Sequence, residues 1–312
     1  MTLAPPRLWL DGGRVRHAIG ADTISNDLAD WIAEDLVAPG LIGPSEFEAV
    51  FVEAVLAVDA DPAVAWTAFY RNTLAALGRG EGAGTNAGMA PVHARAVELA
   101  VGPHVVELGC CFGFLSLRLA RAGFRVTAVD LVPGTARLLG SVAPRLLAEA
   151  ATRPDEMRNS RRWDAELAAT RCGTRGGTGR GTGGGTGRGT GRGTGRGTGR
   201  RTGVQRAGTP GTVTALAGDA CAVPLADGAA DTVFAVHLLE HLPPALAPVV
   251  LAEMLRVARR RAVVAVPFED EPNPTWGHVR TFDLAALDAL GAATGCPYAV
   301  AEFHGGWLVV DA

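Results

Sequence analysis

An apolar run ends in an acid and a glycine loop, Val105-Val106-Glu107-Leu108-Gly109-Cys110-Cys111-Phe112-Gly113. A second apolar run follows, Val126-Thr127-Ala128-Val129-Asp130. With a helical stretch between them, the two runs read as strand, helix, strand. Such a unit packs as parallel strands joined by a right-handed crossover. Asp130 stands 23 positions after Glu107, about where a doubly wound sheet offers a carboxylate to ribose hydroxyls. The stretch predicts a nucleoside-binding crevice.

Glycine spacing decides which nucleoside ligand fits. A dinucleotide loop needs glycine at its first, third and sixth positions so that a pyrophosphate can approach the backbone. Counting from Gly109, those positions hold Cys111 and Phe114, and the loop contains no Arg or Lys. A ligand without phosphate is expected. The acid-x-Gly-x-x-x-Gly pattern of Glu107, Gly109 and Gly113 resembles motif I of class I S-adenosylmethionine-dependent methyltransferases, with Cys111 in place of the usual central glycine. That resemblance implies S-adenosyl-L-methionine as cofactor. It implies that Glu107, Gly109, Cys110, Cys111, Phe112 and Gly113 pass under the methionine part, and that Asp130 and Leu131 lie at the ribose.

Two later segments extend the likeness. Gly218-Asp219-Ala220 and Leu239-Glu240-His241 look like the Gly-Asp-Ala and Leu-Glu-His motifs of the same family. By that resemblance Asp219 accepts from the adenine amino group, Ala220 lies by the ring and His237 packs beside the cofactor. Methyl transfer to a hydroxyl also needs a proton acceptor, and imidazole has the nearest pKa. His278, His241 and Glu240 are the catalytic candidates. Arg280 is a partner for a substrate anion or a structural acid, while His17, His93 and His104 read as surface or packing residues. No recognisable ligand spacing among His, Cys, Asp and Glu calls for a metal.

The chain has 312 residues, 48% of them hydrophobic, enough for a full core. Its 29 basic residues are all arginine and its net charge is −3. Nine arginines lie between 171 and 206, without an acid; outside that stretch 20 basic residues face 32 acidic ones, or −12. An acidic body is a poor partner for nucleic acid. Five cysteines form no CxxC pair and are odd in number, which argues against zinc or a disulfide framework and for a reducing cytoplasm. Apolar runs break at charges well short of a membrane span.

The pattern predicts an α/β fold: a Rossmann-like seven-stranded methyltransferase sheet with an antiparallel C-terminal hairpin, preceded by an N-terminal helical region. Strands are expected near 104–108, 125–130, 212–217, 231–237 and 262–268, and helices near 113–122, 134–149 and 243–258. Ala299–Phe303 and Trp307–Val310 read as the hairpin. Residues 1–90 form the helical region or substrate cap, with a glycine-rich break at 78–88 and a short helix from Pro91 to Leu99. Residues 91–312 form the methyltransferase domain, interrupted by a 151–211 insertion. Within it, 173–203 repeats Gly-Thr-Gly-Arg, too polar and glycine-rich to pack a core. That tract reads as a tolerated surface expansion.

Glu107 to Phe114, His278 to Asp283 and His304 to Asp311 together resemble actinobacterial mycofactocin-oligosaccharide methyltransferases, which implies O-methylation of a glycan hydroxyl. C- or O-methylation of a quinone or other small metabolite would keep every cofactor motif. An Arg/Gly-rich nucleic-acid-binding protein is the alternative outside enzymes, but the tract lacks aromatics to stack on bases.

Overall fold

The computed structural model describes residues 7–80, 84–152 and 210–312, so the Gly-Thr-Gly-Arg repeat lies outside the described residues. Seven strands form one sheet. They are β3 (His104–Leu108), β4 (Arg125–Asp130), β5 (Thr212–Ala217), β6 (Ala230–Val236), β7 (Ala258–Val266), β8 (Tyr298–Glu302) and β9 (Gly306–Asp311). Their order is β5-β4-β3-β6-β7-β9-β8. β5 to β7 run parallel across the sheet and β9 is antiparallel to both β7 and β8. This is the α/β architecture expected, including the terminal hairpin.

Each central strand is apolar because both faces are covered. Val105, Val106 and Leu108 of β3, and Val233, Phe234 and Ala235 of β6, are fully buried. Helices α5 (Phe114–Arg121), α6 (Pro133–Ala151), α7 (Ala247–Val257) and α8 (Leu284–Ala293) supply that cover. Chain order reverses between β3 and β6, so the carboxyl ends of these two strands flank a switch point, where ligands of open α/β sheets bind.

The N-terminal region departs from the expectation at both ends. A hairpin, β1 (Leu8–Asp11) and β2 (Arg14–His17), precedes its helices. Gly12 and Gly13 make the turn with φ of 57° and 78°, the left-handed pair that a two-residue hairpin loop requires. Helices α1 (Leu28–Ile32), α2 (Phe47–Leu56) and α3 (Pro62–Arg79) follow. Helix α4 then runs Thr85–Leu99, six residues earlier than Pro91 suggested. The glycine-rich break at 78–88 shrinks accordingly, since α3 reaches Arg79. Tertiary capping explains the early start. Asp30 accepts from the amide and hydroxyl of Thr85 at 2.6 and 2.8 Å, and Asp27 accepts from the amide of Asn86 at 2.9 Å. Acids on α1 thus satisfy the donors that a local cap would otherwise serve.

Strand β7 also begins earlier than expected, taking in Arg259 to Arg261. Arg261 is held there by Asp311 at 2.9 Å and the Leu99 carbonyl at 3.3 Å. Among the described residues no helix is long and apolar enough to cross a membrane.

Candidate active site

Register brings the candidate residues to one edge of the sheet. Leu108 pairs with Val129 and with Ala235, Asp130 pairs with Ala217, and Val236 pairs with Ala265. The residues just beyond these positions therefore share a rim: Gly109 to Gly113, Leu131, Asp219, Ala220 and His237.

The loop after β3 is rigid. The Cys110 amide donates to the Val129 carbonyl at 3.1 Å, the Gly113 amide to the Cys110 carbonyl at 2.7 Å, and the Cys111 amide to Asp130 Oδ2 at 2.8 Å. Three left-handed residues at alternate positions shape it: Gly109 (φ 66°), Cys111 (φ 47°) and Gly113 (φ 72°). Cys111 thus adopts a left-handed conformation that glycine takes more readily. A Cβ on Gly109 would stand 2.7 Å from Leu238 beyond β6, and one on Gly113 2.3 Å from Leu139 of α6. Both glycines are required by close approach.

Three acids stand at these strand ends in unlike surroundings. Glu107 is buried and accepts from the Ser116 hydroxyl, tying β3 to α5. Burial, with Asp130 nearby, pushes its carboxyl up to about 8. Asp130 is half-buried. Besides Cys111 it accepts from the Val132 amide at 2.9 Å. Asp219 is exposed and accepts from the Cys221 amide at 2.8 Å. Leu131, 71% exposed, is an open apolar side chain between them.

The amides of Cys110, Cys111 and Gly113 are thus spent inside the protein, and Glu107 and Asp130 add acidic groups beneath the loop. An anion would meet no Arg or Lys in the loop, and three of its amides are already engaged. A nucleoside carrying a cationic centre suits this rim, so the residues fit S-adenosylmethionine and disfavour a pyrophosphate.

A second group gathers beyond β6. His237 (φ 51°) is anchored through its amide to the Ala265 carbonyl at 2.9 Å. Burial, with His278 and His241 close by, pulls its imidazole down to about 4. Glu240 is 1% exposed and neither carboxylate oxygen has a hydrogen-bond partner. His237 Nδ1 is 3.5 Å from Oε1. Burial, then the Glu269 charge, pushes the Glu240 carboxyl up to about 8. Rings of His241 and His278 meet edge to face with centroids 4.9 Å apart. Burial, then His278, lowers the pKa of His241. His278 Nδ1 lies 2.7 Å from Glu269 Oε2. The Val279 amide donates to the Glu240 carbonyl at 2.9 Å, fastening the segment after β7 to the turn after β6.

Several participants carried no sequence signal. Glu269 holds His278. Buried His93 of α4, read as a surface or packing residue, has its pKa lowered by burial first, then by Arg118 and His237. His17 and His104 bond to the carbonyls of Ala54 and Ala229, both at 2.8 Å, as packing residues do. Arg280 stacks on Phe282 at 4.1 Å and donates to the Pro244 carbonyl at 3.4 Å, rather than to an acid. Aromatic residues roof the loop. Phe112 stacks on Phe51 of α2 at 5.3 Å and meets Phe69 of α3 edge-on at 5.3 Å, while Phe47 meets Trp276 at 5.5 Å. Their spacing in the sequence gave no hint of this contact.

Residues 197–266 match the family model described as a methyltransferase domain. No curated protein matches the sequence. Among solved structures, a SAM-dependent methyltransferase from Aquifex aeolicus is 14% identical, covers 70% of this chain and 85% of its own, and has a TM-score of 0.37. Magnesium protoporphyrin IX methyltransferase from Synechocystis with bound SAM is 16% identical, with 74% and 85% covered and a TM-score of 0.39. An O-methyltransferase from Nostoc punctiforme, described as putative, is 11% identical, with 80% and 60% covered and a TM-score of 0.44.

The strand order, the loop after β3 and the methyltransferase-domain match over residues 197–266 make the chain similar to class I methyltransferases. The family of that match uses S-adenosylmethionine as its methyl donor.

Proposed function

We propose that the chain methylates a hydroxyl oxygen of a small molecule or glycan. The observation that carries this reading is the Glu240, His241 and His278 cluster, a set of proton-accepting groups beside the switch point. A hydroxyl nucleophile is helped by such groups, because its proton must leave as the oxygen takes the methyl group, whereas an acceptor already deprotonated would not need them.

In this reading the loop Gly109, Cys110, Cys111, Phe112 and Gly113 lies under the methionine part, with Glu107 buried beneath it. Asp130 and Leu131 meet the ribose, Asp219 and Ala220 the adenine, and His237 packs on the same side. When bound, the donor supplies a methyl group already activated on a sulfonium. The protein's remaining task is to hold the acceptor oxygen in line and close and to let its proton leave at the histidine and Glu240 cluster. Residues 1–90 cap the acceptor side through the Phe112 contacts, and 91–312 form the catalytic domain around the 151–211 insertion.

The narrower reading is a mycofactocin-type oligosaccharide as acceptor, supported by the resemblance in Glu107 to Phe114, His278 to Asp283 and His304 to Asp311. A cytoplasmic location accords with the cysteine usage. The test is incubation of purified protein and isotopically labelled donor with a cell extract, followed by mass spectrometry. Label on an ether oxygen of a glycan supports the reading. Label only on carbon or nitrogen refutes the hydroxyl reading, and label on the oxygen of a quinone or other small metabolite refutes the glycan as acceptor.

A further inference from the structure

Glu240, His241 and His278 were read separately as proton acceptors, and their sequence positions show no ligand spacing. The fold brings one potential ligand atom from each within 4.8 Å of the others. Donor atoms that share an ion at about 2.1 Å stand roughly 3–4 Å apart, so closure needs about 1–2 Å of movement.

The carboxylate is the second observation. Glu240 is 1% exposed, and both its oxygens lack a hydrogen-bond partner. Buried polar groups are rarely left so, because each orphaned acceptor costs on the order of 1–3 kcal/mol. An ion in the cluster would satisfy both oxygens. His278 is also prepared for the role. Its Nδ1 is engaged by Glu269 Oε2 at 2.7 Å, which leaves the other ring nitrogen as the lone-pair donor. Carboxylates orient metal-binding histidines in the same way.

We propose that Glu240, His241 and His278 bind one divalent first-row transition cation beside the methyl-transfer crevice, with Glu269 positioning His278. Two imidazoles and one carboxylate favour Zn²⁺ or Mn²⁺ over Mg²⁺ or Ca²⁺, which prefer all-oxygen sites. Three protein ligands leave open positions for an acceptor oxygen. Resting on the hydroxyl reading above, the ion's role is to bind the acceptor O–H and raise its acidity. The proton then passes to water, and the electron pair of the broken O–H bond stays on oxygen for attack. With the ion bound the two imidazoles are ligands, so the cluster promotes loss of the acceptor proton through the ion rather than by taking that proton on its own rings.

The test uses the full chain, stripped with chelator and titrated with Mn²⁺ while free ion is followed by electron paramagnetic resonance. One ion per chain is expected, displaced by Zn²⁺ and not by equal Mg²⁺. Glu240→Gln and His278→Ala should each weaken Mn²⁺ at least about tenfold, and Glu269→Gln about 10–100-fold. Glu240→Gln removes an unpartnered buried carboxylate, so its thermal midpoint without metal should equal or exceed that of the parent. S-adenosylmethionine affinity, measured by calorimetry, should persist in both ligand variants, which separates failure of this site from failure of the methyltransferase reading. Absence of saturable Mn²⁺ and Zn²⁺ uptake, or equal uptake by parent and both variants, overturns the proposal.

Discussion

Cys111 and Gly113 share a backbone conformation but not its consequences. At φ 47° Cys111 pays for a left-handed position that glycine would occupy freely, and its side chain is exposed. Cys111→Gly should therefore keep the fold, with strain relief and unfolded-state entropy nearly cancelling to within about 1 kcal/mol. Gly113→Ala adds a Cβ 2.3 Å from Leu139 and should destabilise by about 1–3 kcal/mol. Chemical denaturation of both variants checks the pair, and equal loss in both would mean the loop follows another path. Glycine spacing made the loop legible in the sequence. It left out that three amides are already occupied, because two of their acceptors, Val129 and Asp130, become neighbours only through strand pairing, while the third is the Cys110 carbonyl of the loop's own turn.

At the scale of elements, β3 and α5 are joined by Glu107 and Ser116. The Glu107 carboxyl rises from 4.5 to about 8 through burial, with Asp130 and Cys110 the ionisable groups facing it. Between those values the folded chain keeps a proton that the unfolded chain has released. Stability of the ligand-free protein should thus be full below about pH 4.5 and fall as pH rises toward 8. Glu107→Gln should flatten that fall, leaving the part due to Glu240, whose carboxyl is raised in the same direction. Urea midpoints measured from pH 5 to 8 decide it; an unchanged slope would show Glu107 ionised in the fold. Strands β3, β4 and β5 begin and end where the sequence reading placed them, since short apolar runs bounded by glycine and acid have sharp ends. Helix α4 and strand β7 were misjudged at their starts for one reason. Asp27, Asp30 and Asp311 stabilise them from elsewhere in the chain, and local propensity cannot register partners so distant.

For the whole molecule, order along the chain and arrangement in space diverge most at the second group of residues. His241 and His278 were singled out individually, yet their contact and the involvement of Glu269 and His93 depend on β6 lying beside β7 and on α4 packing under the sheet. The Gly-Thr-Gly-Arg repeat, by contrast, supplies none of the residues assigned above to the donor or the acceptor. Deleting residues 173–203 should leave methyl transfer within about twofold, because closing a shorter loop changes the free energy by only about 0.6 kcal/mol per halving. Methyl transfer lost with the repeat, in a chain that still folds, would assign the tract a role in the reaction. The account as a whole depends on the acidic rim at the tips of β3, β4 and β5. Titration calorimetry with S-adenosylmethionine, comparing the parent with Asp130→Asn, tests it most directly. One site per chain is predicted, weakened roughly 10–100-fold by the substitution, as expected when a charged acceptor worth about 1.5–3 kcal/mol is lost. Absence of binding in the parent, or equal affinity in Asp130→Asn, would contradict it.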